Sequence, residues 1–176
     1  MKYIAGLLFF ALIMILGTLL KNDAPLLQEP GLVKRLAIYF TTHVAQTSDT
    51  HPFPELRTDV FAIDADNLYL AVLDALNDLK WDIVASDEAG HRVTVIVTTP
   101  ILLFKDDMVI NIRSLECMNG VVISALDVRS SSRIGKGDFG ANAGHIQQLI
   151  EAVRVRMEKY KPDAPRASTR QDSLNC

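Results

Sequence analysis

The first residues constrain this chain more than any other feature, because they form a long apolar run without a charge. The run YIAGLLFFALIMILGTLL extends from Tyr3 to Leu20, 18 residues in all. A helix of that length measures about 27 Å, close to the ~30 Å hydrocarbon core of a bilayer. A helix on a globular core would keep one polar face, and this run has none. Residues 1–21 are therefore predicted to be an N-terminal transmembrane anchor.

A cleavable signal peptide is the alternative interpretation of residues 1–21. Signal peptides have a shorter apolar core and end in small residues at the cleavage site. Here the run ends in GTLLK, which lacks small residues at that spacing, so we expect an uncleaved single-pass helix in the inner (cytoplasmic) membrane. A short tail before the first apolar helix usually stays in the cytoplasm. This rule places the rest of the chain on the periplasmic, extracytoplasmic side.

Residues 22–54 are predicted to be a connector with one short amphipathic helix. Pro25 and Pro30 end the apolar helix. The run LVKRLAIYFTTHVA then has apolar residues at helical spacing, at Leu32, Val33, Leu36, Phe40 and Val44. Two interpretations stay open. The helix lies on the bilayer surface with Lys34 and Arg35 among the headgroups, or its apolar face packs on the domain that follows.

Residues 55–160 have the pattern of one α+β domain, with segments in the order β-α-β-β-β-β-α. The run RVTVIVTT alternates like a strand, and the Asn-Gly pair at Asn119 and Gly120 indicates a tight hairpin. Consecutive strands with short turns predict an antiparallel sheet of about five strands, with two helices on one face. Residues 161–176 are polar and contain proline, so we expect a disordered tail.

The two helices of this domain are predicted from their apolar spacing. Asp64 or Asp66 is placed to cap the first helix, and the second is expected to run from about Phe139 to Tyr160. The residues expected to be buried are Leu68, Val72, Ala75, Leu76 and Leu79 in the first helix, and Ile146, Leu149, Ile150, Val153 and Met157 in the second.

The stretch GKGDFG at 135–140 has the spelling of the G-x-G-x-x-G loop that cradles phosphate in dinucleotide-binding folds. That loop works inside a β-α-β unit, whose second strand supplies an acidic residue for the ribose. Here the helix after the loop leads into the tail, and no second strand follows. Asp138 would also occupy the positive end of that helix. We therefore expect no nucleotide binding and attribute the glycines to turns with positive φ.

Composition and residue spacing favour neither nucleic-acid binding nor catalysis. The net charge is −3, which lacks the basic excess of a nucleic-acid-binding domain. The four histidines and two cysteines show no metal-ligand or redox spacing. Adjacent Asp106 and Asp107 would point to opposite faces of a strand, so they cannot act as a carboxylate pair. We expect no catalytic residue, metal or cofactor.

Several motifs resemble one bacterial family, called domain of unknown function 1499. They are FKDDMVI at 104–110, DVRSSSRIGKGDFGANA at 127–143, PEL at 54–56, AQT at 45–47, and the single residues Arg35, Tyr39 and Trp81. The resemblance covers roughly residues 30 to 157. It implies a small envelope or membrane-associated protein and indicates no reaction.

Nine polar residues in or near these motifs form a candidate binding site for a ligand or partner. They are Asp106, Asp107, Arg129, Ser130, Ser132, Arg133, Lys136, Asp138 and Asn142. One interpretation is a network of ion pairs and caps that fixes the loop to the sheet. The other is a polar pocket in which Arg129 and Arg133 grip an anionic headgroup or a partner's carboxylate.

Three functions are compatible with these features. The first is a non-catalytic, membrane-tethered domain that binds a lipid-like or anionic ligand or an envelope partner. The second is an accessory subunit of a membrane complex that docks through its apolar helix. The third is a hydrolase whose Asp and Arg residues meet only in three dimensions.

Overall fold

An antiparallel sheet of six strands forms the centre of the structure, a computed structural model that describes residues 2–21, 25–99, 103–116 and 122–159. The helices are α1 (Lys2–Lys21), α2 (Leu32–Thr41), α3 (Ala65–Leu79) and α4 (Ala141–Lys159). The strands are β1 (Val44–Gln46), β2 (Asp59–Phe61), β3 (Asp82–Asp87), β4 (Arg92–Thr98), β5 (Lys105–Glu116) and β6 (Val122–Ser132). A 3-10 turn, Pro54–Leu56, precedes β2.

The strands lie in the order β1-β6-β5-β4-β3, and β2 also pairs with β6. Every pairing is antiparallel. The α+β class and the antiparallel sheet predicted from the sequence are therefore confirmed, and the elements from β2 to α4 follow the predicted order. The additional strand is β1, which lies in the segment assigned to the connector. The Asn119-Gly120 hairpin and the tail at 161–176 lie outside the described residues.

The face of the sheet that α3 and α4 cover, here called the inner face, is apolar at one end and polar at the other. Residues directly opposite each other on paired strands share a face. Three successive rows across β4, β5 and β6 are Val93-Ile110-Val128, Val95-Met108-Ser130 and Val97-Asp106-Ser132. The polar end of the inner face thus lies next to the loop that follows β6.

Both domain helices bury the apolar faces that their spacing predicts. Asp64 caps α3 as expected, since its Oδ1 accepts the Asn67 N–H at 2.9 Å. Helices α3 and α4 pack against each other, α3 also contacts β5, and α4 contacts β6. The buried residues are Leu68, Val72, Ala75, Leu76, Ile146, Leu149, Ile150, Val153 and Met157. Leu79 is only partly buried.

Helix α2 attaches to the domain mainly through Arg35 and Tyr39, and of its apolar residues at helical spacing Leu36 is partly buried against the core. Arg35 and Tyr39 are buried, whereas Leu32, Val33 and Phe40 are exposed. Arg35 is 0% exposed, so it does not lie among lipid headgroups as one interpretation required. The apolar spacing was misleading because a long side chain with a charged end is buried when acceptors surround its head.

All five N–H groups of the Arg35 guanidinium have acceptors. Nη1 donates to Glu55 Oε1 at 2.5 Å and to the Tyr39 hydroxyl at 3.2 Å. Nη2 donates to Glu55 Oε2 at 3.1 Å and to a backbone carbonyl before α2, and Nε donates to the Gln28 carbonyl at 3.1 Å. Cζ also lies 4.2 Å from the centre of the Phe53 ring. This buried ion pair joins α2 to the 3-10 turn.

The prediction of a transmembrane helix over residues 1–21 is wrong. The segment does form helix α1, but within the described residues no helix is both long and apolar enough to cross a membrane. The last turns of α1 pack on the domain: Leu19 is 4% exposed, and Ile15 contacts the same core. The part from Tyr3 to Met14 is about 18 Å long, well short of a ~30 Å hydrocarbon core. The predicted location at the inner membrane, on the periplasmic side, stays a prediction, and the transmembrane helix no longer supports it.

Replacement of Arg35 by Met should destabilise the protein far more than removal of an exposed arginine. Arg35→Met leaves the Glu55 carboxylate and two backbone carbonyls without their donor, which costs about 3 kcal/mol of unfolding free energy. Arg113 is 48% exposed in its pair with Asp127, so Arg113→Met should cost below about 1 kcal/mol. Urea denaturation followed by Trp81 fluorescence measures both, and equal losses would contradict the structural role of Arg35.

Candidate functional site

The loop between β6 and α4, residues 133–140, docks on the C-terminal end of α2. The Asp138 N–H donates to the Thr42 carbonyl at 3.2 Å, and the Phe139 N–H donates to the Tyr39 carbonyl at 3.1 Å. Carbonyls at the end of a helix have no partner within the helix, and this loop supplies their donors. The segment assigned to the connector therefore forms one wall of the candidate site.

The three glycines of the G-x-G-x-x-G spelling serve this docking. Gly135 and Gly140 have φ values of 97° and 81°, which confirms the prediction of positive φ for two of them. Gly137 has a different role, because a Cβ there would lie 2.5 Å from the Phe40 carbonyl oxygen. The close approach of two backbones therefore explains Gly137 without any phosphate.

A buried amide, Asn142, connects the loop, the sheet and the segment before β1. Its Nδ2 donates to Asp138 Oδ2 at 2.7 Å, to Ser132 Oγ at 2.8 Å and to the His43 carbonyl at 3.0 Å. Its Oδ1 accepts the Ser130 hydroxyl at 2.5 Å. Both Asn142 and Ser130 are fully buried. The amide has two hydrogens for three acceptors, so one hydrogen is shared.

Asp138 holds the beginning of α4. Its Oδ1 accepts the Gly140 N–H at 2.9 Å, and its Oδ2 accepts the Asn142 N–H at 3.3 Å. These N–H groups precede the first complete turn and otherwise lack partners. Burial raises the pKa of the Asp138 carboxyl, and the nearby Asp106 charge acts in the same direction.

Asp106 and His145 form a second buried polar group beside this network. Asp106 is 1% exposed, and its Oδ2 lies 3.2 Å from His145 Nδ1. This contact is not a hydrogen bond, and within the described residues both Asp106 oxygens and His145 Nδ1 lack a hydrogen-bond partner. The Trp81 ring packs edge-on against His145 at 5.9 Å. Sequence analysis assigned no role to His145, although its spacing of three from Asn142 indicates a shared helix face.

The remaining predicted site residues lie on the opposite, outer face of the sheet or in the exposed loop. Arg133 donates to both oxygens of Asp107, at 2.6 and 2.9 Å, and this pairing lowers the pKa of Asp107. Arg129 is exposed and donates to Ser131 Oγ at 3.3 Å, and Lys136 is exposed. Asp106 and Asp107 thus point to opposite faces as predicted. The nine candidate residues do not form one pocket.

A cavity of about 270 Å³ lies between α2, β1 and the start of α4. Its apolar lining residues are Ile38, Val44, Ala45, Phe53, Leu56 and Ala143. Its polar lining residues are Tyr39, Thr42, Gln46, Ser48, His51 and Asp138. Asp138 is the one predicted site residue among them. Sequence reasoning missed the others because most of them come from residues 38–53, outside the predicted domain.

The histidine in the cavity wall is held in a defined state. His51 Nδ1 lies 3.0 Å from the Phe53 backbone nitrogen and 3.3 Å from the Phe53 carbonyl oxygen, so the ring is held against the Phe53 backbone. Burial lowers the pKa of His51, and the ring is therefore neutral at physiological pH. Within the described residues, no three His, Cys, Asp or Glu side chains are arranged to hold a metal ion.

These features define an α+β domain with a helix-covered antiparallel sheet and, at one end, a small cavity lined by equal numbers of apolar and polar residues. The sequence profile of DUF1499, a protein family of unknown function, matches residues 33–153. The match covers more than half of the chain, and the chain therefore belongs to this family. The resemblance seen in the motifs is thereby confirmed. No curated protein matches the chain at a significant level.

Loss of the Asn142 amide should destabilise the protein strongly, whereas loss of Arg133 should not. Asn142→Ala leaves the buried Ser130 hydroxyl and a backbone carbonyl unpaired, at a cost of about 2–4 kcal/mol. Arg133→Ala removes an ion pair whose side chains are 44% and 43% exposed, and such pairs contribute about 0–1 kcal/mol. Urea denaturation measures both variants. A larger loss for Arg133→Ala would show that the loop is fixed from the outer face.

Compared with a variant that cannot ionise at position 138, the wild-type protein should lose stability as the pH rises. Because the folded pKa of Asp138 is raised, the folded chain binds this proton more tightly than the unfolded chain. Its contribution to stability is full below the unfolded pKa and is lost as the pH rises through the folded pKa. The ordinary pKa of an Asp side chain is about 3.9. Asp138→Asn should therefore show its largest stability deficit relative to the wild type near pH 3.5, and a smaller one near pH 7. A deficit that grows towards neutral pH would contradict the raised pKa.

Proposed function

We propose that this DUF1499 protein is a binding module that holds a small, lipid-like molecule in the cavity between α2, β1 and α4. The observation that carries the proposal is the cavity, with a volume of about 270 Å³ and six apolar lining residues. Small-molecule sites are concave, have mostly apolar walls and a few polar groups that orient the ligand. The volume is slightly below the usual ~300–1,000 Å³, which suits a short chain or one end of a longer one.

The arrangement of charged residues supports binding rather than hydrolysis. A hydrolase site was expected to need Asp and Arg residues that converge, but Asp107 and Arg133 pair with each other on the outer face. The buried Asp106–His145 pair is not part of the cavity lining. The candidate site has positioned polar groups, and among the described residues no lining hydroxyl is hydrogen-bonded to the His51 ring, as an activated nucleophile would be.

The lining favours a lipid-like ligand over an anionic one. Among the described residues that line the cavity there is no lysine or arginine, and the one charged group is the Asp138 carboxylate. An anionic headgroup would be desolvated next to a like charge, which costs free energy. Arg129 and Arg133, the predicted anion clamp, are on the outer face.

A second candidate function is that of an accessory subunit that docks through α1. The observation that favours it is the exposure of large apolar side chains along this helix, among them Phe9 at 65%, Phe10 at 61% and Leu12 at 61%. Contiguous exposed apolar surface marks interaction sites in soluble and membrane-associated proteins. This function uses a different surface, so it is compatible with a ligand in the cavity.

Filling the cavity should abolish ligand retention without unfolding the protein. Ala45 lines the cavity from β1 and is half-buried, whereas Ala85 is exposed on β3, at the far edge of the sheet. The full chain is purified from its own host and measured by native mass spectrometry. We expect an additional mass of lipid or metabolite size on the wild type and on Ala85→Phe, and its loss from Ala45→Phe.

A neutral fluorescent probe, N-phenyl-1-naphthylamine, tests the cavity without a natural ligand. Its fluorescence should rise with the wild type and with Ala85→Phe, and much less with Ala45→Phe, because only that variant fills the cavity. Signal that persists in Ala45→Phe belongs to other apolar surface, such as α1. Equal probe binding and equal retained mass in all three proteins would overturn the cavity as the binding site. A protein-sized partner in the mass spectrum would favour the accessory-subunit function instead.

A further inference from the structure

We infer that the cavity selects a ligand with a positively charged, ammonium-type end on an apolar body. This inference rests on the proposed binding function and adds the charge of the ligand. It depends on a carboxylate and aromatic rings that share one small cavity, with no lysine or arginine among the described residues of its lining. The positive groups near the cavity are each neutralised by another part of the structure.

The first nearby positive group is the N-terminal end of α4, which would ordinarily attract an anion. Here Asp138 already accepts the Gly140 N–H at 2.9 Å and the Asn142 N–H at 3.3 Å. A full negative charge thus lies against the partial positive charge of the helix end, equivalent to roughly half an elementary charge. The helix end therefore leaves a net negative potential at this wall.

The second positive group is Arg35, whose Nη1 contacts the hydroxyl of the lining residue Tyr39 at 3.2 Å. Its charge is paired with both oxygens of Glu55, at 2.5 and 3.1 Å. All five of its N–H groups have acceptors, so none is free to bind a ligand anion. The third group, His51, is neutral because burial lowers its pKa.

A second carboxylate adds to the negative potential. Asp106 lies close enough to Asp138 for its charge to raise the pKa of Asp138. The side chain of Asp106 is 1% exposed, and neither of its oxygens has a hydrogen-bond donor within the described residues. The His145 imidazole lies beside it, with Nδ1 at 3.2 Å from Asp106 Oδ2. An ammonium beside Asp138 would relieve the repulsion between these two carboxylates.

The aromatic residues of the lining supply the second element of a cation site. The Phe53 ring centre lies 5.9 Å from that of Tyr39 and 5.3 Å from that of His51, both with edge-to-face geometry. Aromatic faces attract cations within about 6 Å, and ammonium ligands are recognised by clusters of such rings. Phe53 already has the Arg35 guanidinium at 4.2 Å over its ring, which shows that this wall tolerates a cation.

The test compares three six-carbon probes whose head groups are positive, neutral and negative: hexylammonium, hexan-1-ol and hexanoate. Each displaces N-phenyl-1-naphthylamine from the full chain, and calorimetric titration gives the dissociation constants. We expect hexylammonium to bind at least about tenfold more tightly than hexan-1-ol, the effect of one charge-assisted hydrogen bond. Hexanoate should bind most weakly.

Two variants assign the preference to its cause. Asp138→Asn should reduce the preference for hexylammonium over hexan-1-ol at least about tenfold, and the hexan-1-ol affinity that remains reports how far the cavity is preserved. Asp106→Asn removes a charge outside the lining and should reduce only hexylammonium binding, by a smaller factor. Ala45→Phe should weaken all three probes, which identifies the cavity.

Each other outcome has a defined meaning. Hexanoate that binds as tightly as hexylammonium overturns the charge preference, and so does a preference that survives Asp138→Asn. If the fluorescent probe binds but hexylammonium shows no advantage over hexan-1-ol, the proposed function stands and this inference falls. If neither the fluorescent probe nor any of the three binds, both fall together.

Discussion

The buried side chain of Asn142 is the contact on which the rest of the site depends. It connects α4, the last residues of β6, the loop at 133–140 and the backbone before β1. A buried amide is stabilising only when its donors and acceptors are satisfied, so the same geometry that satisfies Asn142 fixes these segments relative to one another. The cavity wall is a consequence of that arrangement.

The polar end of the inner face shows how a fold accepts buried charge. Toward this end, the rows of the sheet replace apolar side chains by Ser130, Ser132 and Asp106. Burial of a carboxylate is unfavourable unless a partner or a hydrogen bond compensates for it. Asn142 and the start of α4 satisfy Asp138, whereas Asp106 lies beside His145 and has no hydrogen bond among the described residues. This incomplete compensation distinguishes the region from an ordinary apolar core.

Much of the domain was predictable from residue spacing, whereas the segments before it were not. Alternating valines and helical apolar faces identified the strands and both helices, because side-chain periodicity reports burial directly. The same rule failed for residues 1–54. The apolar spacing of α2 suggested an apolar contact, but Arg35 and Tyr39 are buried there, since Glu55 supplies a partner that lies twenty residues further along the chain. The uncharged run before it suggested a membrane span, yet Leu19 is packed on the domain.

The sequence alone determined the α+β class, the antiparallel sheet, the order of the elements from β2 onward, the family, and the role of Asp138 at the start of α4. These features follow from periodicity and from contacts between near neighbours in the chain. Only the tertiary structure decided that Asp106 and Asp138 belong with His145 and Asn142, that Arg129 and Arg133 lie on the other face, and that residues 38–56 line a cavity. Those relations join residues up to about a hundred positions apart, and their pairing depends on sheet register and helix docking, which no local pattern specifies.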